Sequence, residues 1–364
     1  MKIMIIGAHP SGNKGAEAML EVLVDNINQN VEGVSFLLET LNRGEDFSAI
    51  KAKNLRFSIT TFKPKNIFSP YNVSLSDVGL VIDIGGLSYT DKTFKGNIRN
   101  FVKHINLLIR GKKLVFFIQD FGPAKNITTK VLGRIVGSRA AAFFSRSEFT
   151  KNVLTESFRV SSEKIFGPYP DCTLLYNNDD TEYALKDSDY IIISPSAIMY
   201  NKFGQRYIND LIKIKKYFLN YSNVYVLVNC FTRNDGVSDV DVARMIESNP
   251  SNILQDNISP IFLKKILEGA SFVVASRYHV LVGAVSSNTP AVSVGWNQKY
   301  RSFLELYDIE DFAIVYDSLC YEKVTQTYID VCNDIEFSKR LRPKNEKLAT
   351  QVQAAFEELI KTVG

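Results

Sequence analysis

Arg277 and His279 stand two positions apart in the stretch "ASRYHVLVGAV", directly after an apolar run at 272–275. An arginine guanidinium is a planar fork of donors that suits a phosphate or a carboxylate. A histidine imidazole, whose ordinary pKa is about 6.5, gives or takes a proton near neutral pH. The pattern predicts the end of a strand and the start of a helix, and a helix N-terminus also favours anions. We therefore expect an anion-binding group beside a proton-transfer group, with a histidine buried in the core as the alternative.

A lysine follows the next apolar run. In "TPAVSVGWNQKYRSFLE", the run 291–294 predicts a strand, and Lys299 stands near the start of the helix expected after it. An ammonium group at that position suits a phosphate. The alternative is an ordinary solvated surface lysine.

The segment "IIGAHPSGNKGAEAML" predicts a strand, a glycine-bearing loop and a helix in succession. Such a loop aims backbone N–H groups at whatever lies above the sheet. It is not a P-loop, because Lys14 does not directly follow a glycine, and it lacks the dinucleotide fingerprint, because no glycine stands two residues after Gly7. We expect a ligand-facing loop, with a plain tight turn as the alternative. Its polar side chains include His9 and Asn13.

A pair of glycines follows a predicted strand in "VIDIGGLSYTD". Gly85 and Gly86 allow a sharp turn and a close approach of the backbone to a ligand. Asp83, at the end of that strand, has two readings: it hydrogen-bonds a sugar hydroxyl, or it caps its own turn.

Two further polar residues follow apolar runs in the same half of the chain. Asp120 comes after 114–118 in "FFIQDFGP", and Arg146 comes after 140–144 in "FFSRSEF". Ligands of open α/β sheets bind outside the carboxyl ends of the strands. We therefore expect Asp120 and Arg146 at the same edge as Asp83.

The order of the segments predicts the fold class. Short apolar runs alternate with longer amphipathic stretches, as in βαβ units with parallel sheets. The alternation restarts after the polar stretch 176–189, "YNNDDTEYALKDSD", which has the composition of a linker. We predict an α/β protein of two Rossmann-like domains with mainly parallel sheets and a cleft between them. The predicted divisions are an N-terminal domain at 1–180, a C-terminal domain at 181–340 and a closing helix at 341–364.

Composition and charge exclude several classes of protein. The 364 residues are 45% hydrophobic and 23% charged, which is typical of a globular protein and not of a disordered or fibrous chain. The net charge of +4 is small for this length, which disfavours binding to duplex nucleic acid. No apolar run reaches the roughly 20 residues that span a bilayer.

Targeting and metal-binding signals are weak. The chain begins with a strand-like segment and has no signal-peptide pattern, so we expect a cytoplasmic protein. Its four cysteines form no CxxC motif, and no HExxH or His/Cys cluster is present. These absences disfavour a metal site and a disulfide framework.

Taken in order, the segments resemble the polysaccharide pyruvyl transferase family. The resemblance is carried by "GNKGAEAML", "DIGGLSYTD", "QDFGP", "SRSEFTKNVL", "PDCTLL" and "SRYHVLVGAVSSNTPAVSVGWNQKYRSFLE". It implies a glycosyltransferase-B-like pair of Rossmann domains. It also implies transfer of a pyruvyl group from phosphoenolpyruvate to a sugar of a cell-surface polysaccharide or its precursor, which forms a ketal and releases phosphate.

The resemblance also implies roles for the candidate residues. His279 is the expected acid or base, with His9 in reserve. The donor side falls in the C-terminal domain and the acceptor side in the N-terminal one. The expected phosphoenolpyruvate contacts are Ser276, Arg277, Lys299 and Arg146. The expected acceptor contacts are Asn13, Asp83, Gly85, Gly86 and Asp120.

Phosphoenolpyruvate serves as a co-substrate, and no separate cofactor or metal is expected. The acceptor is a sugar or oligosaccharide, and whether it is lipid-linked stays open, as does a peripheral contact with the inner face of a membrane. Two rival functions fit the same residues. One is a nucleotide-sugar-dependent glycosyltransferase of the same architecture, and the other is a carbohydrate-binding relative without catalysis.

Overall fold

The computed structural model describes residues 1–7, 12–40, 56–63, 71–176, 185, 189–232, 235–255, 259–296 and 298–363. Their backbone contacts divide the chain into two compact units. The first comprises Met1–Ser11, Met19–Leu175 and Thr350–Gly364, and the second comprises Gly12–Ala18 and Tyr176–Ala349.

The first unit is built on a parallel sheet of eight described strands, in the order β3-β2-β1-β4-β6-β7-β8, with the short β5 paired to β6. Its central strands β1, β4 and β6 are mainly apolar and buried, as is usual for parallel sheets that are covered on both faces. The strands are β1 Lys2–Ile6, β2 Ser35–Thr40, β3 Phe57–Thr61, β4 Val78–Asp83, β5 Leu87–Ser88, β6 Lys113–Phe121, β7 Ala142–Ser145 and β8 Ile165–Phe166.

Helices follow the strands of this sheet and cover its faces. They are α1 Lys14–Asn30, α2 Phe94–Ile109, α3 Ile127–Arg139 and α4 Glu148–Asn152. Thr93 caps α2, since its side chain accepts a hydrogen bond from the Gly96 N–H at 3.1 Å. The core of this unit includes Phe116, which stacks on Phe143 with ring centroids 4.8 Å apart.

The second unit has a parallel sheet of six described strands in the order β11-β10-β9-β12-β13-β14. The strands are β9 Tyr190–Ser194, β10 Asn223–Leu227, β11 Ile253–Leu254, β12 Phe272–Ala275, β13 Ala291–Gly295 and β14 Ala313–Val315. The helices are α5 Ala197–Phe203, α6 Gln205–Phe218, α7 Asp239–Ile246, α8 Pro260–Glu268, α9 Tyr278–Ser286, α10 Gln298–Glu305 and α11 Cys320–Cys332. The last helix of the chain is α12 Phe337–Val363. The α/β class and the parallel sheets are as the sequence predicts.

In each sheet, the direction in which successive strands are added reverses once, at what is called the reversal point below. The chain runs outward through β1, β2 and β3 and then returns to place β4 on the other side of β1. It repeats this in the second unit, where β12 returns to the other side of β9. The carboxyl ends of two strands that flank such a reversal are the usual ligand site in open α/β sheets.

The division of the chain differs from the predicted one in two places. Residues 12–18, predicted in the N-terminal domain, cluster with the second unit, and the end of α12 from Thr350 onward clusters with the first. The closing helix also begins at Phe337 and not at 341, with Pro343 inside it. Pro343 is the seventh residue of this helix and lies beyond the first turn, where proline is usually found, so the sequence interpretation placed the start too close to it. The predicted boundary at 180/181 lies outside the described residues.

Candidate functional site

The reversal point of the second unit carries the Arg–His pair. The strand β12 ends at Ala275 and α9 begins at Tyr278, as predicted. Arg277 is the residue that precedes the first turn of α9. Across the reversal, the N–H of Ser276 donates to the carbonyl of Ser194, the last residue of β9, at 2.8 Å. The pair therefore lies where the topology predicts a ligand.

Arg277 is paired with a carboxylate that the sequence analysis did not single out. Its Nε donates to Asp239 Oδ2 at 2.7 Å, and its Nη2 bonds Asp239 Oδ1. Asp239 is fully buried at the start of α7 and also accepts from the N–H of Ala197 at 2.8 Å. Burial lowers the pKa of Arg277, but the adjacent Asp239 raises it by more, so the guanidinium stays charged.

Asp239 fixes the orientation of the guanidinium without using all of its donors. Among the described residues, no acceptor is bonded to Nη1 of Arg277. A guanidinium that is held by a carboxylate on one edge still has N–H donors at Nη1, and these can bind an anion. The arginine is therefore held in one orientation by Asp239.

The ring of His279 lies against the segment 12–18, a short loop that runs into the first turn of α1 and carries Gly15. A Cβ built on Gly15 would fall 2.1 Å from both Cγ and Nδ1 of His279. No side chain fits in that space, because real Cβ contacts under 3.0 Å essentially never occur. Gly15 is therefore required for the close approach of the imidazole.

The same loop pairs with the segment after β10. The N–H of Phe231 donates to the carbonyl of Gly12 at 2.7 Å, and the N–H of Lys14 donates to the carbonyl of Asn229 at 3.2 Å. Asn13, predicted to contact an acceptor in the N-terminal domain, is bridged to Cys230 and belongs to the second unit. Its Oδ1 lies 3.5 Å from the N–H of Ala16.

Asn229 is a further polar residue that the sequence analysis missed. It is 2% exposed, and its Oδ1 has no hydrogen-bond donor among the described residues. The available signal was its position directly after the apolar run 224–228, the same signal that selected Asp120 and Arg146.

Ser276 and Lys299 are held by aromatic side chains. Ser276 Oγ accepts from the hydroxyl of Tyr207 at 2.7 Å, and its carbonyl accepts from the hydroxyl of Tyr300 at 2.9 Å. Burial raises the pKa of Tyr300 to about 12, so it remains a donor. The Lys299 Nζ lies over the rings of Tyr278 and Tyr300, at 4.8 and 5.6 Å from their centroids.

The reversal point of the first unit carries the Gly85-Gly86 turn. The N–H of Gly85 donates to Asp83 Oδ1 at 2.7 Å, so Asp83 caps its own turn. Gly7, after β1, has a φ of +74°, and a Cβ there would lie 2.6 Å from both Asp83 Oδ1 and the Gly85 nitrogen. The ends of β1 and β4 approach closely because Gly7 and Gly85, the glycines that follow them, have no side chains.

Asp83 is also the end of a buried chain of hydrogen bonds. Its Oδ2 lies 2.8 Å from His104 Nε2, and His104 Nδ1 lies 2.7 Å from the Tyr89 hydroxyl. Burial raises the pKa of Asp83, but the hydrogen bond and charge of His104, with the charge of Lys103, lower it overall. The carboxylate is committed to these partners, which favours the capping role over direct contact with a sugar.

Arg146 and Asp120 form an ion pair at the same edge. Arg146 Nη1 lies 3.5 Å from Asp120 Oδ2, and its Nη2 lies 3.3 Å from Asp171 Oδ2. Arg146 was predicted on the donor side but stands in the first unit, with the predicted acceptor residues. Asp120 also accepts from the Thr150 hydroxyl at 3.1 Å, and its N–H is 3.4 Å from the carbonyl of Gly86.

A backbone irregularity turns this pair toward the edge. Ile118 has a φ of +43°, and the register of β6 against β7 shifts between Phe116 and Gln119. A β-branched residue in this conformation is strained and persists only where its surroundings hold it. Here the carbonyl of Ile118 accepts from Arg146 Nη2 at 3.1 Å.

The structure thus collects the predicted residues in two groups. Asn13, Ser276, Arg277, His279 and Lys299 lie in the second unit, and Asp83, Gly85, Gly86, Asp120 and Arg146 lie in the first. The predicted reserve acid, His9, lies outside the described residues. Over the described ranges, no three His, Cys, Asp or Glu side chains are arranged to hold a metal ion. Within that same part of the chain, no helix has the length and hydropathy to cross a bilayer.

A comparison with models of protein families identifies the family of the chain. The model of the polysaccharide pyruvyl transferases matches residues 13–298, which is most of the chain and includes both Gly15 and the Arg–His pair. The chain belongs to the polysaccharide pyruvyl transferase family. No curated protein matches the sequence of this chain.

Solved structures with the same fold have little sequence identity to this chain. MnaA of S. aureus, solved with UDP, gives a TM-score of 0.65 at 12% identity over 93% of this chain and 90% of that one. The UDP-GlcNAc 2-epimerase of Neisseria meningitidis, bound to UDP-GlcNAc, gives 0.63 at 12% identity over 99% and 100%. HepE of Anabaena, in complex with UDP, gives 0.57 at 13% identity over 100% and 99%. The likeness shows a glycosyltransferase-B-like fold, as the sequence predicts.

Proposed function

We propose that this protein transfers the pyruvyl unit of phosphoenolpyruvate to two hydroxyls of a saccharide, forming a ketal and releasing phosphate. Membership of the pyruvyl transferase family supports a transferase. The observation that carries the proposal is the contact of His279 with Gly15, which joins two separate family motifs at one reversal point.

The first step adds a hydroxyl across the double bond of phosphoenolpyruvate. The methylene carbon gains a proton and becomes a methyl group, and a sugar oxygen bonds to the neighbouring carbon as its hydroxyl proton leaves. This step needs a positioned acid or base near neutral pH, and such a group contributes about 10² to 10⁴-fold. We assign that role to His279, and His9 remains a candidate in reserve.

The second step expels phosphate. The bond between the carbon and the phosphate oxygen breaks, a second hydroxyl of the same sugar adds at that carbon, and its proton leaves with phosphate or to solvent. The developing charge on the phosphate needs cationic and N–H donors. Arg277 at the start of α9 supplies a charged fork, Asp239 holds it in place, and Ser276 and Lys299 lie beside it.

The saccharide is assigned to the first unit's reversal point. Asp83, Gly85, Gly86 and Asp120 meet there, and the backbone turn together with Asp120 offers the hydrogen-bonding groups that sugar hydroxyls need. In this proposal Arg146, which was predicted on the donor side, orients Asp120 through their ion pair. Asn13 lies on the same loop as Gly15 and belongs with the donor side.

The test is phosphate release from phosphoenolpyruvate, screened with candidate saccharides, for the wild type and His279→Gln. We expect release that depends on the acceptor, and a fall of about 10² to 10⁴-fold in the variant. Lys213→Gln, an exposed substitution in the same unit, should keep the wild-type rate. Unchanged turnover in His279→Gln would remove this residue from catalysis, and no release with any acceptor would contradict the reaction.

A nucleotide-sugar glycosyltransferase is the second candidate, because MnaA and HepE were solved with UDP and the Neisseria epimerase was solved with UDP-GlcNAc. Both reactions would take place in the cytoplasm, where phosphoenolpyruvate and nucleotide sugars are made. The identity of the donor separates them.

A further inference from the structure

An apolar and basic surface lies on the first turns of α2 and α3, away from the residues assigned to catalysis. Four large apolar side chains there are exposed: Phe94 (64%), Ile98 (37%), Ile127 (80%) and Val131 (43%). Single exposed apolar residues are ordinary, but a cluster with a charged rim marks an interaction site. These two helix starts, with their flanking basic residues, are called the α2/α3 face below.

Hydrogen bonds hold the two helix starts side by side. The N–H of Asp91 donates to the carbonyl of Pro123 at 2.8 Å, and the N–H of Lys125 donates to Asp91 Oδ2 at 2.6 Å. Asn97 Nδ2 in the first turn of α2 lies 3.4 Å from the Thr129 hydroxyl in α3. The exposed apolar residues of both helices therefore belong to one surface.

The charged side chains around the apolar cluster are mainly basic. Residues 92–147 include twelve Lys or Arg and a single acidic residue, Asp120, although two of the basic residues, Lys103 and Arg146, are buried in ion pairs. Lys95, Arg99, Lys125 and Lys130 flank the apolar cluster, and over the described residues none of them is paired with a carboxylate. The carboxylate of Asp91, between the two helix starts, accepts hydrogen bonds from the backbone N–H groups of Lys125 and Asn126.

We propose that the α2/α3 face docks on an anionic lipid bilayer. Phe94 and Ile127 would enter the boundary between headgroups and acyl chains, and the four basic side chains would contact the anionic headgroups. Stable peripheral binding takes two such signals together, one apolar and one electrostatic. The surface combines both, whereas a soluble polyanion would need only the basic residues. The inference does not depend on pyruvyl transfer.

The test is cosedimentation of the full chain with vesicles of phosphatidylglycerol and phosphatidylcholine, against phosphatidylcholine alone. We expect binding to the anionic vesicles only, and its loss as salt rises from about 0.1 M to about 1 M, which shortens the Debye length from roughly 10 Å to 3 Å. The double variant Phe94→Ser, Ile127→Ser should weaken binding at least tenfold. The triple variant Lys95→Gln, Arg99→Gln, Lys125→Gln should weaken it about a hundredfold, at roughly fivefold for each basic residue.

Matched controls change the same chemistry elsewhere. Ile109→Ser with Ile335→Ser removes two apolar side chains that are 72% and 85% exposed, and should bind as the wild type does. Lys213→Gln, Lys216→Gln and Lys347→Gln removes three exposed charges of the second unit, with the same expectation. Thermal unfolding verifies that each variant is folded.

Three results would overturn the proposal. One is equal binding to both kinds of vesicle. Another is wild-type binding by the double and triple variants. The third is a combined result, in which the protein is retained on a heparin column and the Phe94→Ser, Ile127→Ser variant binds vesicles as the wild type does. That result would show that the face binds a soluble polyanion.

Discussion

Arg277 shows how a buried carboxylate prepares a cation for its ligand. A lone arginine at a helix start would sample many rotamers, and each bound phosphate would have to order it. Asp239 removes that cost by holding Nε and Nη2, and the pair is buried in the free protein. We therefore expect Asp239 to act through Arg277 and not on the substrate.

Asp239→Asn should weaken both the fold and donor binding. Removing one partner of a buried ion pair leaves an uncompensated charge, at a cost of about 3 to 5 kcal/mol, which an amide reduces because it still accepts a hydrogen bond. We expect a lower free energy of unfolding in urea and a higher KM for phosphoenolpyruvate, with a smaller change in kcat. Asp317→Asn, in the exposed pair with Lys323, should change stability by under about 1 kcal/mol. Equal effects in the two variants would contradict the role of Asp239.

Gly15→Ala tests the contact with His279. The added methyl group would meet the base of the imidazole, which is not a flexible end, so the loop or the histidine must shift. A displacement of about 1 Å at a catalytic group can cost about 10²-fold in rate. We expect kcat to fall by that order while thermal stability falls modestly. Gly79→Ala, where an added Cβ meets nothing within 4 Å, should keep the wild-type kcat.

At the scale of elements, the turn after β4 depends on one buried carboxylate. Asp83 joins the Gly85 N–H to His104, and so ties the end of β4 to α2. Its pKa is lowered in the folded protein, by His104 and Lys103 against the opposing effect of burial. Its stabilising contribution is therefore present above the unfolded-state pKa of about 3.9 and is lost as the pH falls through the folded value.

Asp83→Asn should flatten the acid limb of the stability curve. Over about pH 5 to 3, the free energy of unfolding of the wild type should fall more steeply than that of the variant, because the variant has no proton to take up at this position. At pH 7 the variant should be the less stable of the two. Urea unfolding across this range measures both slopes, and parallel curves would show that the Asp83 pair does not contribute.

The sequence predicts the elements with strong apolar runs and misses the weaker ones. The runs at β1, β4, β6, β7, β9, β10, β12 and β13 are apolar enough to be read directly. The strands β2 and β3 escaped because "SFLLET" and "FSITT" mix polar residues into short segments. Long-range pairing in the sheet, and not local propensity, makes them strands.

Some residues of the candidate site can be predicted from the sequence, and others cannot. Arg277 and His279 could be found from residue type and position at a strand end. Asp239 could not, because its relation to Arg277 spans 38 positions and exists only once β12 and α7 are packed. The contact between Gly15 and His279 joins residues still farther apart in the sequence, and it too exists only in the folded protein.

At the scale of the whole molecule, the two units place their first four strands in the same order, so the fold alone does not identify the donor substrate. A ligand that binds only the folded protein raises its melting temperature, and the stabilisation is about 2.7 kcal/mol at 100 times Kd. We expect phosphoenolpyruvate to raise the melting temperature of the wild type, and to do so less for Asp239→Asn. A shift produced by UDP-sugars and not by phosphoenolpyruvate would favour the glycosyltransferase.

The most direct test of pyruvyl transfer is mass spectrometry of the acceptor after reaction in D₂O. Protonation of the methylene carbon by solvent-exchanged hydrogen should leave one deuterium in the methyl group of a single pyruvyl ketal, with one phosphate released for each ketal formed. His279→Gln should give little or none of this product. A product that carries a transferred sugar, or a saccharide that binds and returns unchanged while phosphoenolpyruvate stays intact, would contradict the account.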